Sequence, residues 1–543
     1  VIDLPPPRPG DETPLSMFER TVAQLGSGPL VLCFDTPLGA DTIDELSHGL
    51  AASLQELGIG AGDRVALYLQ NDPEYLIACL AIWRLEAIAV ACNPMLRRRE
   101  LASLLSDCRP AALIALDELL PTARGAIEDT GSVRVVVACD PMALRSGQSP
   151  APVPLRSGQS PAPVRSPPEG ALDFSELARR PVGPRYQPVA PAPEHTAVLT
   201  YTSGTTGPPK GAMNTHGNIA FVSRLYRDWW GLTPDDRVFG ISPLFHVTGL
   251  TAHIGVTLAT AAPLLLMHRF DPAAAARLGE RHRASATVAA ITAFIALAND
   301  ETAQACDLSR LRRPYSGGAP IPPAVVDLVQ ERLGFRIRPV YGLTETTGPC
   351  VITPVDRDAP VDPVSGALSA GLAAPLTSAR IVGEAGETLA SGEVGEVAIR
   401  GPQVVPGYWR RPEETAHAIR DGELLTGDVG VIDADGWVYL VDRRKDMIIA
   451  SGFKVWPREV EDVLYEHPAV REAAVIGVAD DYRGETVSGY VSLKAGATAT
   501  PGELVEHCRE RLAAYKRPRV VQILPELPKT PTGKILRREL RER

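Results

Sequence analysis

Eleven consecutive residues, YTSGTTGPPKG (residues 201–211), carry four serine or threonine hydroxyls, three glycines and one lysine. Bare glycine backbone can approach a ligand closely, the hydroxyls can donate hydrogen bonds, and the ammonium adds a positive charge. Wrapping a phosphate is the chemistry such a loop can do. A nucleotide-hydrolase P-loop is excluded: that motif requires G-x-x-x-x-G-K-[ST] with successive N–H groups aimed at phosphate. Here Pro208 and Pro209 have no N–H, and Gly211 stands where the final Ser or Thr belongs. What remains is a donor loop in which Thr202, Ser203, Gly204, Thr205, Thr206, Gly207 and Lys210 can fold over a polyphosphate tail. A plain glycine-rich surface turn is the alternative.

The elements around this loop follow an α/β rhythm. Leu46, Leu50, Leu54 and Leu57 recur at helical spacing, and GIGAGDRVALYL then turns into a strand. EYLIACLAIW, IAVACN, ELASLLSDC and AALIAL continue the alternation, which predicts a large layered α/β domain. Residues 238–268 carry no Asp, Glu, Lys or Arg, but three histidines and Pro263 interrupt them, so a buried helix plus strand is expected there and not a membrane span. After about Asp442 the texture changes to a small α+β domain. Its helix from Pro501 has Thr500 as N-cap and Glu503 three residues on, with Leu504, Val505, Cys508 and Leu512 on one face. LRSGQSPAPV occurs twice within residues 144–167, a Pro/Ser-rich insertion that reads as a mobile surface segment.

At 543 residues with 45% hydrophobic content the chain can bury a large core, and a net charge of -10 argues against nucleic acid as a partner. The eight cysteines form no C-x-x-C pair and are expected as buried thiols of a reducing cytosol. No export signal or transmembrane segment is apparent, so a cytoplasmic location is expected.

Beyond residues 201–211, the chain carries YSGGAP (315–320), YGLTET (341–346), GEVAIRG (395–401), GYW (407–409), TGD (426–428), DRRKDMIIASG (442–452) and PKTPTGKILR (528–537) in order. With these blocks it resembles the adenylate-forming superfamily of acyl-CoA synthetases, luciferases and peptide-synthetase adenylation domains. The resemblance implies a large N-terminal AMP- and acyl-binding domain (1–442), a small mobile C-terminal domain (446–543) and a hinge near Lys445. It also implies ATP, Mg2+ and coenzyme A as cofactor and substrates.

Residue by residue, the resemblance gives Lys534 the bridge between the acyl oxygen and the α-phosphate; a solvated charge in a basic tail is the alternative, and Lys529 is a second candidate. Glu345 resembles the magnesium ligand, since Mg2+ prefers few carboxylates plus phosphate and water oxygens, and Thr344 resembles the contact to the α-phosphate. Tyr341 with Gly317, Gly318 and Ala319 looks like an adenine slot, and Asp428 with Arg443 looks like a ribose clamp; a structural ion pair is the alternative for each of these last two. Phe245 and His246 fall at the acyl pocket as wall or gate, although a histidine in an apolar run is often simply packed. Rotation about Lys445 would exchange Lys534 for the loop carrying Ser451 and Gly452, where a glycine keeps a pantetheine channel open.

Phe245 and His246 leave no carboxylate for an amino-acid ammonium, so amino-acid activation is disfavoured. The IIASGFKVWPREVED stretch resembles bacterial medium- and long-chain fatty acyl-CoA ligases, with aryl acids and carrier-protein loading as alternatives. Lys454 and Glu86 depart from the pattern, where asparagine and glycine respectively are common. The oligomeric state is open, a homodimer being one option.

Overall fold

The computed structural model describes residues 12–140, 170–202, 209–363, 366–443, 446–450, 453–480, 484–530 and 535–541. The repeated insertion 144–167 lies outside them, as do Ser203, Gly204, Thr205, Thr206, Gly207, Lys445, Ser451, Gly452 and Lys534.

The layered α/β expectation holds. One seven-stranded sheet runs Leu172–Asp173, Val135–Cys139, Ala112–Leu116, Arg64–Tyr68, Ile88–Ala91, Thr196–Thr202, Lys210–Thr215. All its neighbours pair in parallel except the last two, which form an antiparallel hairpin. A nine-stranded sheet has a parallel centre that includes Ala286–Ala289 and Arg313–Ser316, with antiparallel strands at its ends. The helices Ala40–Glu56, Pro73–Trp83 and His216–Trp230 share one buried apolar cluster with strands of both sheets, so the main core lies between them. Pro73–Trp83 is buried along its whole length. That is why its sequence is apolar all round instead of striped.

Long-range hydrogen bonds fix the layers where apolar packing alone would let them slide. Trp83 Nε1 donates to the Ala197 carbonyl at 3.1 Å, and Trp229 Nε1 and the Tyr315 hydroxyl both donate to the Thr353 carbonyl, at 3.1 and 2.7 Å. The charge-free stretch resolves into a buried π-helix Gly249–Gly255, a short helix Val256–Thr260 and the strand Leu264–Leu266, as the interrupting histidines and proline suggested. Among the described residues no helix is long and apolar enough to cross a membrane. Seven of the eight cysteines are buried and Cys306 is partly so; none of the eight is in a disulfide.

Two details differ from expectation or refine it. Leu57 lies just past the end of its helix, as C-cap, and is 36% exposed instead of completing the apolar stripe. Glu86 does occupy a glycine-like position: its φ is 55°, in the turn that ends Pro73–Trp83, and its carboxylate holds His195 Nδ1 at 2.6 Å.

A third, antiparallel sheet contains Ser378–Val382, Gly395–Arg400, Glu423–Ile432, Ile419–Arg420 and Val438–Arg443. The small C-terminal domain is separate. Its sheet of Phe453–Val455, Ile448–Ala450, Gly484–Leu493, Val470–Asp480 and Val520–Ile523 packs helices Pro457–Tyr465 and Pro501–Arg511 over its own core. Thr500 and Glu503 form the expected capping box, and Leu504, Cys508 and Leu512 are buried with Val505 packed against them. Arg458, only 4% exposed, reaches from this domain to the Leu440 and Leu368 carbonyls of the large one.

The turn carrying residues 341–346 depends on one glycine. A Cβ built at Gly342 would lie 1.9 Å from the Gly348 carbonyl oxygen, a backbone atom that cannot step aside. Gly342→Ala is therefore expected to lose at least the about 1–3 kcal/mol typical of an over-packed core, read as a lower denaturation midpoint.

Candidate functional site

The strands Thr196–Thr202 and Lys210–Thr215 supply both ends of the glycine-rich loop. Thr202 registers with Lys210 and Tyr201 with Gly211 across the hairpin, and the Thr202 hydroxyl reaches the Lys210 carbonyl at 3.4 Å. The hairpin is tied down on its outer side. The Tyr201 hydroxyl donates to Asp107 Oδ2 at 2.7 Å, and Arg411 Nη2 donates to the other oxygen of the same carboxylate at 2.8 Å. Burial, the neighbouring Cys108 and then Asp107 push the Tyr201 phenol far above its ordinary range, so it remains a donor.

Residues 405–411 run along the free edge of this hairpin. Tyr408 bridges Ala212, Met213 N–H donates to the Gly407 carbonyl at 3.0 Å, and Trp409 N–H donates to the Gly211 carbonyl at 2.7 Å. The same segment reaches the turn Thr344–Thr346: Val405 N–H donates to the Glu345 carbonyl at 2.9 Å, and the Tyr408 hydroxyl donates to Glu345 Oε1 at 2.6 Å. Lys210 Nζ stands 5.3 Å from the Tyr408 ring centroid. On the inner side, Asn214 Nδ2 donates to the Thr344 carbonyl at 3.1 Å and to the Thr347 hydroxyl at 3.0 Å. Loop base, Lys210, Thr344 and Glu345 thus form one connected set.

The turn itself is built by Thr346, whose hydroxyl accepts from Leu343 N–H at 2.8 Å and donates to the Gly348 carbonyl at 2.7 Å. Tyr341 precedes it. Its hydroxyl donates to Asp428 Oδ2 at 2.8 Å, and both residues are 8% exposed. Burial and the Asp428 charge raise the Tyr341 phenol well above its usual range. Asp428 is opposite Arg443 in the strand pairing, although the Arg443 side chain is outside the described residues.

Gly317, Gly318 and Ala319 follow the strand Arg313–Ser316, whose Ser316 registers with Pro339 just before Tyr341. Gly318 has φ 82° and open space where a side chain would be, whereas a Cβ at Gly317 would meet the Val340 carbonyl at 2.6 Å. A left-handed turn and a close approach both ask for glycine here.

Phe245 and His246 are half-buried at the entry to the π-helix. Asn71 pins their loop, accepting from Leu244 N–H at 2.8 Å and donating to the Ser242 carbonyl at 3.0 Å. His246 Nδ1 accepts from Thr248 N–H at 3.3 Å, which points its tautomer away from a proton relay through that nitrogen. The π-helix meets the turn region: Thr251 Oγ1 is 3.2 Å from where a Gly348 Cβ would be.

Asp107, Asn214, Tyr408 and Arg411 were not signalled by the sequence. GYW was visible as a block, but nothing local to it says that its tyrosine reaches Glu345, 63 residues away.

Among the described residues no group of three or more His, Cys, Asp or Glu could hold a metal ion. Glu345, partly exposed and with one oxygen engaged, suits Mg2+, which takes few carboxylates and fills its octahedron with phosphate and water oxygens.

Asp107→Ala removes the shared anchor of Tyr201 and Arg411, while Tyr201→Phe removes one of its two bonds. The expectation is an ATP affinity about tenfold weaker for Asp107→Ala, from charged hydrogen bonds of about 1.5–3 kcal/mol, with a smaller loss for Tyr201→Phe, both read by calorimetric titration.

Residues 18–409 match the AMP-binding enzyme family and residues 459–534 match the AMP-binding enzyme C-terminal domain. A long-chain-fatty-acid–CoA ligase of Bacillus subtilis is 37% identical over 91% of this chain and 88% of its own length. One from Escherichia coli O157:H7 is 34% identical over 97% and 94%. The solved structure of the anthranilate CoA ligase AuaEII in complex with anthranoyl-AMP superposes with a TM-score of 0.88, at 27% identity, over 99% of this chain and 98% of that one. The Tyr201–Gly211 hairpin, the Thr344–Glu345 turn and the Tyr341–Asp428 pair all belong to the matched region or to the strands that follow it, and this chain is a member of the AMP-binding enzyme family.

Proposed function

We propose that this chain is an ATP-dependent carboxylic acid:CoA ligase acting on fatty acids, long-chain ones first, in the cytoplasm. The observation that carries the reading is full-length similarity to long-chain-fatty-acid–CoA ligases, 37% identity over 91% of the chain, combined with the connected loop, turn and buried Tyr341–Asp428 pair. In the first step a carboxylate oxygen attacks the α-phosphorus of ATP, the bond to pyrophosphate breaks, and acyl-AMP forms. In the second the thiol of coenzyme A attacks the acyl carbon, AMP leaves, and the thiol proton is released.

Two anions must meet in the first step, so the chain has to supply positive charge and fixed donors. Lys534 bridges the acyl oxygen and the α-phosphate. Lys529, the other candidate, is held by the buried Glu472 at 2.7 Å, which supports a structural role for it. Residues 202–207 with Lys210 wrap the β- and γ-phosphates, and Thr344 contacts the α-phosphate. Glu345 would hold Mg2+, which when bound neutralises phosphate charge. Tyr341 with Gly317, Gly318 and Ala319 receives adenine, Asp428 and Arg443 receive the ribose, and Phe245 and His246 wall the acyl pocket.

The second step needs the acyl carbon opened to a thiol. We assign residues 1–442 and 446–543 as the two moving parts, Lys445 as the hinge, and the loop with Ser451 and Gly452 as the pantetheine channel. Lys529 and Ile535 bridge, and Leu536 N–H donates to the Pro528 carbonyl at 2.8 Å, so the chain on either side of Lys534 is paired. A paired base supports a loop that travels with its domain.

An aryl acid is the second reading, favoured by the likeness to AuaEII. A pyrophosphate-release panel of acetate, octanoate, palmitate, benzoate and cinnamate separates the two; the expected order places palmitate and octanoate above both aryl acids. Lys534→Ala should abolish adenylate formation yet retain thioester formation from preformed acyl-AMP, and Gly452→Leu should do the reverse. Equal loss of both half-reactions in either variant would count against its assigned role.

A further inference from the structure

Glu345 is a single, partly exposed carboxylate, and a free glutamate samples many rotamers. A metal ligand has to be held. The group that holds it is Tyr408, whose hydroxyl is 2.6 Å from Oε1, the spacing of a charge-assisted O–H···O bond. A phenol has one proton to give, so this bond engages one carboxylate oxygen and leaves Oε2 for another partner.

The opposite charge is on the same residue's other surface. The Lys210 ammonium stands over the Tyr408 ring at 5.3 Å from the centroid, within cation–π range. One side chain thus touches the carboxylate through its hydroxyl and the phosphate-loop cation through its face.

Tyr408 is itself fixed from several directions. It is 9% exposed, its N–H donates to the Thr415 hydroxyl at 2.9 Å, and the Thr415 hydroxyl donates back to the Arg411 carbonyl at 2.7 Å. Its neighbours bond the Lys210–Thr215 strand on one side and the Glu345 backbone on the other.

We propose that Tyr408 is a positioning residue that orients Glu345 for Mg2+ and sets Lys210 against it, so that metal and polyphosphate are received as one unit. This rests on the reading of Glu345 as the metal ligand. A tyrosine serves where phenylalanine would not, because orientation comes from the hydroxyl and placement of the cation from the ring.

The test uses the full chain, wild type, Tyr408→Phe and Tyr408→Leu, with Mn2+ as the probe. Mn2+ binding is followed by the electron paramagnetic resonance of the free ion in the presence of a non-hydrolysable ATP analogue, and analogue binding without metal is titrated in chelator. Tyr408→Phe is expected to weaken Mn2+ binding about tenfold, the loss of one hydrogen bond to a charged group, with metal-free analogue binding changed less than about twofold. Tyr408→Leu is expected to weaken both, since the ring face is gone as well.

A Tyr408→Phe protein with wild-type Mn2+ affinity would overturn the proposal. So would one in which adenylation and thioester formation from preformed acyl-AMP fall in parallel with a lowered melting temperature, the signature of a merely structural role. Wild-type protein that binds the analogue but no Mn2+ would remove the Glu345 assignment instead, an outcome distinct from either.

Discussion

The phosphate-binding role proposed for residues 202–207 and Lys210 requires that the chain at both ends of that stretch be fixed. The constraint on which this site depends is the anchoring of the Tyr201–Gly211 hairpin. Asp107 holds Tyr201 on one flank, residues 407–409 are bonded along the other, and Asn214 carries the connection inward to the Thr344 turn. The anchors are drawn from distant parts of the chain: a helix near residue 100, the segment near 410 and the turn near 345. Tertiary structure is therefore a precondition of the proposed phosphate site.

The second theme is the economy of buried polar groups. Tyr341 with Asp428 and Tyr408 with Glu345 are both phenol–carboxylate pairs at the site; in the first the hydroxyl satisfies an oxygen that burial would otherwise leave costly, and in the second it engages one oxygen of a partly exposed carboxylate. Burial raises both phenols, so each stays the donor in its pair. Domain contact uses the complementary device. Arg458 gives its guanidinium protons to the Leu440 and Leu368 carbonyls of the large domain.

Much of this was legible in the sequence, for reasons that differ by element. The Thr500–Glu503 capping box and the apolar face of Leu504 and Cys508 were readable because cap and stripe are local, set by spacings of three and four. The hairpin that flanks the glycine-rich stretch was readable as a block because its hydroxyls, glycines and lysine are contiguous in the chain. Asp107, Arg411 and Asn214 were not, since a polar residue's partner 94, 304 or 130 residues away leaves no periodic trace. Leu57 misled because helical spacing continues one step after the backbone has turned away. The Glu86 anomaly carried real information: it stands in a left-handed position, with its carboxylate 2.6 Å from His195 Nδ1.

The central claim is that adenylation takes place between the anchored hairpin and the Tyr341–Asp428 pair. Its most direct measurement is a crystal structure with a non-reactive acyl-adenylate analogue. The account places adenine against Tyr341 and Gly317–Ala319, with the ribose hydroxyls on Asp428. Nucleoside density in any other cleft, with the Tyr341–Asp428 pair untouched by it, would contradict it.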